Sequence, residues 1–97
     1  MNLPLPQTYQ KDVKRAVDIL KTAGCTEVFL FGSLTTGTVR ENSDIDLAIR
    51  GCPKGNFFRV LGKLMLELDH PVDLVNLDKQ DAFARYLEME GRLLAID

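Results

Sequence analysis

Near the start of the chain, apolar residues recur every three or four positions: Tyr9, Val13, Ala16, Val17, Leu20 and Ala23. That spacing gathers them on one face of a helix, and Gly24 follows in the place where helices commonly stop. Lys11, Lys14, Arg15 and Lys21 fall on the other face, which reads as a solvated surface. The period then changes. "TEVFLFG" is a short β-branched and aromatic run closed by glycine, and "SDIDLAIR" is a second run of strand length, with a polar loop or short helix between them. After the turn signals of "GCPKGN", helical spacing returns in "FFRVLGKLMLEL", where Phe57, Val60, Leu61, Leu64 and Leu68 form a stripe opposite Arg59, Lys63 and Glu67. Leu66 falls outside that stripe, as a lone exposed leucine or as part of a partner surface. "HPVDLVNL" predicts a third strand. "DKQDAFARYLEME" predicts a further helix with Asp78 as its N-cap and Gly91 as its stop, and "RLLAI" a short final strand. The order αβ(α)βαβαβ contains no repeat and no linker. It predicts a single domain over residues 1–97, of the α/β (α+β) class, with a small mixed β-sheet flanked by helices.

Composition adds boundaries rather than detail. An apolar share of 45% and a charged share of 27% belong to an ordinary globular chain. The longest apolar runs fall far short of the roughly 20 residues that span a bilayer, and the first dozen residues lack the apolar core of a signal peptide, so no membrane partner and a cytoplasmic location are expected. Cys25 and Cys52 belong to no CxxC-like group and read as two reduced thiols. The net charge of −2 argues against nucleic acid as a direct partner, since such binders rely on an excess of Lys and Arg. A small anionic ligand remains compatible with it.

The chemistry lies in the acids that interrupt the strands. Residues two apart in a strand project to one side, so Asp44, Asp46 and Ala48 share a face while Ile45, Leu47 and Ile49 share the other. Asp73 likewise faces with Val75, away from Val72 and Leu74. If the third strand lies beside the second, three carboxylates converge, and charges brought together in a partly dry setting need a cation, donors or a shared proton. A hard divalent cation ligated by oxygen suits the group. Mg2+ takes one or two protein carboxylates and completes its shell with water and phosphate, and a second ion nearby would allow two-metal phosphoryl or nucleotidyl transfer. No His or Cys sits within the cluster to indicate zinc. Gly32 and Ser33, after the first strand and before a short helix, offer a turn where backbone N–H groups and a hydroxyl can meet phosphate. Gly37 would bring the chain back toward the acidic strand.

Gly32-Ser33, a ten-residue spacer, Asp44-Ile45-Asp46 and the later Asp73 together resemble the nucleotidyltransferases of the DNA polymerase beta superfamily. The similarity is greatest to the minimal nucleotidyltransferases, which consist of the catalytic fold alone, and it runs from the first helix to "EGRLLAI". It implies the nucleotidyltransferase fold, ATP as substrate, Mg2+ as cofactor in two ions, and transfer of a nucleoside monophosphate to an acceptor hydroxyl. By the same resemblance Asp44 and Asp46 bind metal, Asp73 binds metal or takes the acceptor proton, and Gly32 and Ser33 bind nucleotide. It also implies a partner, an all-helical HEPN ribonuclease toxin that an antitoxin of this kind neutralises by AMP transfer or by contact. One departure stands out: Leu34, Thr35 and Thr36 occupy positions where members of the superfamily often carry arginine, which removes a bidentate phosphate clamp unless Arg40 or the Thr35, Thr36 and Thr38 hydroxyls replace it.

Two functions follow, of different kinds. One is an enzyme that adenylylates a macromolecular acceptor, since a chain this short has little material for a small-molecule acceptor pocket unless a homo- or hetero-oligomer builds one. The other is an interaction module, an antitoxin that covers a helical partner while its own chemistry is weak or absent. His70, the lone histidine, precedes Pro71 at a strand entrance and reads as a turn residue rather than a general base.

Overall fold

The computed structural model describes residues 5–36, 43–90 and 93–96. Its first helix, α1 (Gln7–Thr22), buries Tyr9, Asp12, Val13, Ala16, Ile19 and Leu20, close to the predicted stripe but with an unexpected acid in it. The helix stops as its sequence requires. Gly24 takes φ +102, and the N–H groups of Gly24 and Cys25 return to the carbonyls of Lys21 and Leu20, which satisfies the last turn.

The strands are β1 (Glu27–Phe31), β2 (Ile45–Arg50), β3 (Val72–Asn76) and β4 (Leu94–Ala95). They form one sheet in the order β3-β2-β1-β4. β1 runs antiparallel to both β2 and β4, whereas β2 and β3 are parallel, so the sheet is mixed as predicted. A parallel pair needs a long crossover, and α3 (Phe57–Glu67) supplies it between β2 and β3. A single-turn helix, α2 (Ser33–Thr36), follows β1 directly.

Strand alternation divides the interior in two. Val28, Leu30, Ile45, Leu47, Ile49 and Leu74 pack with Val13, Leu20, Val60 and Leu64 of α1 and α3. Phe31 and Ala48 on the other face pack with Leu77 and with Ala84 and Leu87 of α4 (Ala82–Glu90). The sheet is thus covered on both faces, which explains why so many positions of β2 are apolar.

Two boundary details differ from expectation. Asp78 does not cap α4: Leu77–Lys79 form a 3-10 turn, and Asp81 is the cap, its Oδ1 accepting the Ala84 N–H at 2.9 Å. Asp78 instead accepts the Gly51 N–H at 2.7 Å and ties that turn to the end of β2. The reason is local competition, because the Asn76 side chain accepts the Asp78 N–H and starts a tighter turn before the helix can begin. The helix stop expected at Gly91 lies outside the described residues. The two cysteines, distant in sequence, meet in space as free thiols. Burial, helped by a hydrogen bond with Cys52, pushes the Cys25 thiol up to about 12.

Candidate active site

The three aspartates gather at one end of the sheet. Parallel pairing sets Asp46 of β2 directly beside Asp73 of β3, and antiparallel pairing sets Phe31, the last residue of β1, opposite Asp46. Asp44 stands immediately ahead of β2 rather than within it. The convergence read from alternation is therefore present in the backbone. Its degree of burial is not as expected: Asp46 is half-buried, but Asp44 and Asp73 are both exposed. β3 lies at the sheet's edge and Asp44 precedes the ladder, so water reaches both, and the cost of desolvation falls on Asp46 alone.

The electrostatics still mark the cluster. Burial first, and then the negative charges of Asp73 and Asp44, together raise the Asp46 carboxyl from its ordinary 3.8 to about 6. Among the described residues no cation pairs with any of the three. Among those residues, too, no three His, Cys, Asp or Glu side chains are grouped so as to clasp an ion as they stand. The donor set nevertheless fits a hard cation by its chemistry: all its ligating atoms are carboxylate oxygens, and its charge is unbalanced.

Gly32 forms the floor of the site. It takes φ +76, and a Cβ added to it would lie 2.2 Å from Oδ2 of Asp46. Only glycine lets the turn pass this close beneath the carboxylate. Thr35 closes the turn by returning both its N–H, at 3.1 Å, and its hydroxyl, at 2.7 Å, to the Gly32 carbonyl. Leu34, in a position that arginine often fills in the resembling superfamily, is buried in the core below. The Ser33 hydroxyl, the Thr36 side chain, Gly37, Thr38 and Arg40 lie outside the described residues.

The acid end also holds a group that reading the sequence missed. Asp12 is the buried charged residue of α1, and its Oδ2 accepts the backbone N–H groups of Asp69 and His70, each at 2.9 Å. His70 Nδ1 lies 2.8 Å from the same oxygen, and the imidazole stacks on the Tyr9 ring with centroids 3.7 Å apart. His70 is thus a turn residue, as predicted, and a fastened one. The Tyr9 hydroxyl donates to the Ser43 carbonyl at 2.6 Å, one residue before Asp44. The available signal was an acid standing beside Val13 inside an apolar stripe.

Comparison with known proteins gives a consistent picture. Residues 10–96 match the family described as polymerase beta, nucleotidyltransferase. No curated protein matches the sequence. Among solved structures, a protein described as a minimal nucleotidyltransferase is 25% identical with a TM-score of 0.69, over 100% of this chain and 96% of the other. A toxin–antitoxin complex with AMP-PNP contains a chain 25% identical with a TM-score of 0.67, over 84% of this chain and 69% of that one. A complex of tri-AMPylated Shewanella oneidensis HEPN toxin with MNT antitoxin shares the fold at 21% identity and a TM-score of 0.62, over 89% and 69%.

Proposed function

Because the chain belongs to the polymerase beta nucleotidyltransferase family, we propose that it transfers AMP from ATP, with Mg2+, to a hydroxyl group of a helical protein partner of the HEPN type. The observation that carries the reading is the register of β2 and β3, which sets Asp46 beside Asp73 with the Gly32 turn pressed against the Asp46 carboxylate. A bound divalent ion would supply charge neutralisation for the phosphates and activation of the attacking oxygen. Asp44, Asp46 and Asp73 are the residues that would hold it. Gly32 leaves backbone accessible beside them, where phosphate oxygens can approach without meeting a side chain, and Ser33 extends that cradle. Asp73, exposed on the outer strand, stands where it can also accept the proton of an incoming hydroxyl.

The partner class follows from the sequence resemblance and agrees with the toxin–antitoxin complex of the same fold that carries AMP-PNP. A protein acceptor brings its own hydroxyl to the site.

A second reading, neutralisation of the partner by contact, draws on different observations. Phe58, Met65 and Leu66 of α3 are 78%, 66% and 88% exposed, and residues 32–36 of the phosphate turn include no arginine or lysine. One experiment separates the two. Wild type, Asp44→Asn and Asp46→Asn are each incubated with Mg2+, α-labelled ATP and a helical protein of the HEPN type. Transfer of label by wild type and its loss in both variants is expected. Label that survives both substitutions would overturn the ligand assignment, and inhibition of the partner without label would favour the contact reading.

A further inference from the structure

The two strands that carry the acids enter the sheet at the same end, and both entrances are tied to α1. At the entrance to β2, the Tyr9 hydroxyl holds the Ser43 carbonyl at 2.6 Å. At the entrance to β3, Asp12 Oδ2 holds the N–H groups of Asp69 and His70 at 2.9 Å and the His70 ring at 2.8 Å. The stack of His70 on Tyr9 joins the two attachments, and the Ile45 N–H closes the circuit on the Pro71 carbonyl at 2.8 Å.

We infer that Tyr9 and Asp12 are positioning residues: they fix both strand entrances against α1 and so set where Asp44 and Asp46 stand relative to Asp73. The inference rests on the metal-binding reading proposed above. Packing alone does not require this arrangement. Tyr9 and Asp12 are a turn apart on α1, where two apolar side chains would fill the same space without burying a carboxylate. The buried carboxylate and the phenol instead spend their hydrogen bonds on backbone groups within one to four residues of Asp44 and Asp73. Exposed carboxylates on flexible approaches would scatter, and groups behind a metal's ligands commonly change its affinity 10- to 100-fold when removed.

The test measures Mn2+ binding by titration calorimetry, well below the unfolding temperature, on the full chain. Tyr9→Phe keeps the ring on His70 and removes only the hydroxyl; Asp12→Asn keeps the size and removes the charge. Each should raise the Mn2+ dissociation constant about tenfold. Val60→Ala, a core substitution between α3 and the sheet, is the control that lowers stability and leaves affinity unchanged. Wild-type affinity in both Tyr9→Phe and Asp12→Asn would overturn the inference, as would an equal loss in Val60→Ala. Absence of Mn2+ binding by wild type would sink the metal-binding reading, and the inference with it.

Discussion

Replacing Asp46 by asparagine should make the protein more stable while abolishing what it does. Among the described residues Asp46 has no hydrogen-bond or ion-pair partner, so the substitution leaves nothing unpaired and removes a charge that burial and two neighbouring carboxylates oppose. A rise from 3.8 to about 6 sets a ceiling of about 3 kcal/mol on that opposition. Because the side chain is only half-buried, solvent screening brings the expected figure down to about 1 kcal/mol. The sign follows from linkage. The folded state holds the Asp46 proton more tightly than the unfolded state, so this group lowers stability as pH rises from about 4 to about 6 and contributes a constant penalty above that. Asp46→Asn should therefore match wild type near pH 4 and exceed it by about 1 kcal/mol at pH 7.5, a gain of roughly 4–8 °C in melting temperature for a domain of this size. Thermal unfolding across pH 4 to 8 in EDTA measures it directly. Repeating the series in Mg2+ should raise the melting temperature of wild type and leave the variant unmoved. A variant equal to or less stable than wild type at pH 7.5 would refute the view that this carboxylate is held against its own electrostatics.

Two further predictions concern the turn and the last helix. Gly32→Ala forces a side chain into φ +76 and into the space of the Asp46 carboxylate, and should cost about 1–3 kcal/mol in urea unfolding; a neutral result would mean that the turn and the carboxylate are not in contact. Asp81→Ala removes the cap of α4 and should cost about 1 kcal/mol by the same measurement, whereas an unchanged midpoint would return the capping role to another residue.

The fold was legible in the sequence because its periods are clean. The stripe from Tyr9 to Ala23 and the stripe from Phe57 to Leu68 predict α1 and α3, and the short apolar runs predict the four strands found among the described residues. Alternation correctly separates Ile45, Leu47 and Ile49 from Asp46 and Ala48, because side-chain direction in a strand depends on nothing beyond neighbouring residues. The pairing of Asp46 with Asp73 is a different kind of fact. It arises from a crossover of the chain through α3, and the sequence states it only as a condition. How far each acid is buried was not legible at all, since Asp73 is exposed by its place on the outer strand, a property of the sheet and not of "PVDLV". Asp12 was overlooked for a related reason. An acid within an apolar stripe looks like surface until the turn that it serves, some 57 residues later, is brought against it.

Among the described residues β3 is paired on one side only, with β2. Its other side presents backbone groups to which a stray strand could add, the usual starting point of sheet-to-sheet association. Asp73, the second of the five residues of β3, puts a negative charge on this edge, and charge on an edge strand disfavours such an addition. The outermost carboxylate thereby also helps to keep separate molecules apart.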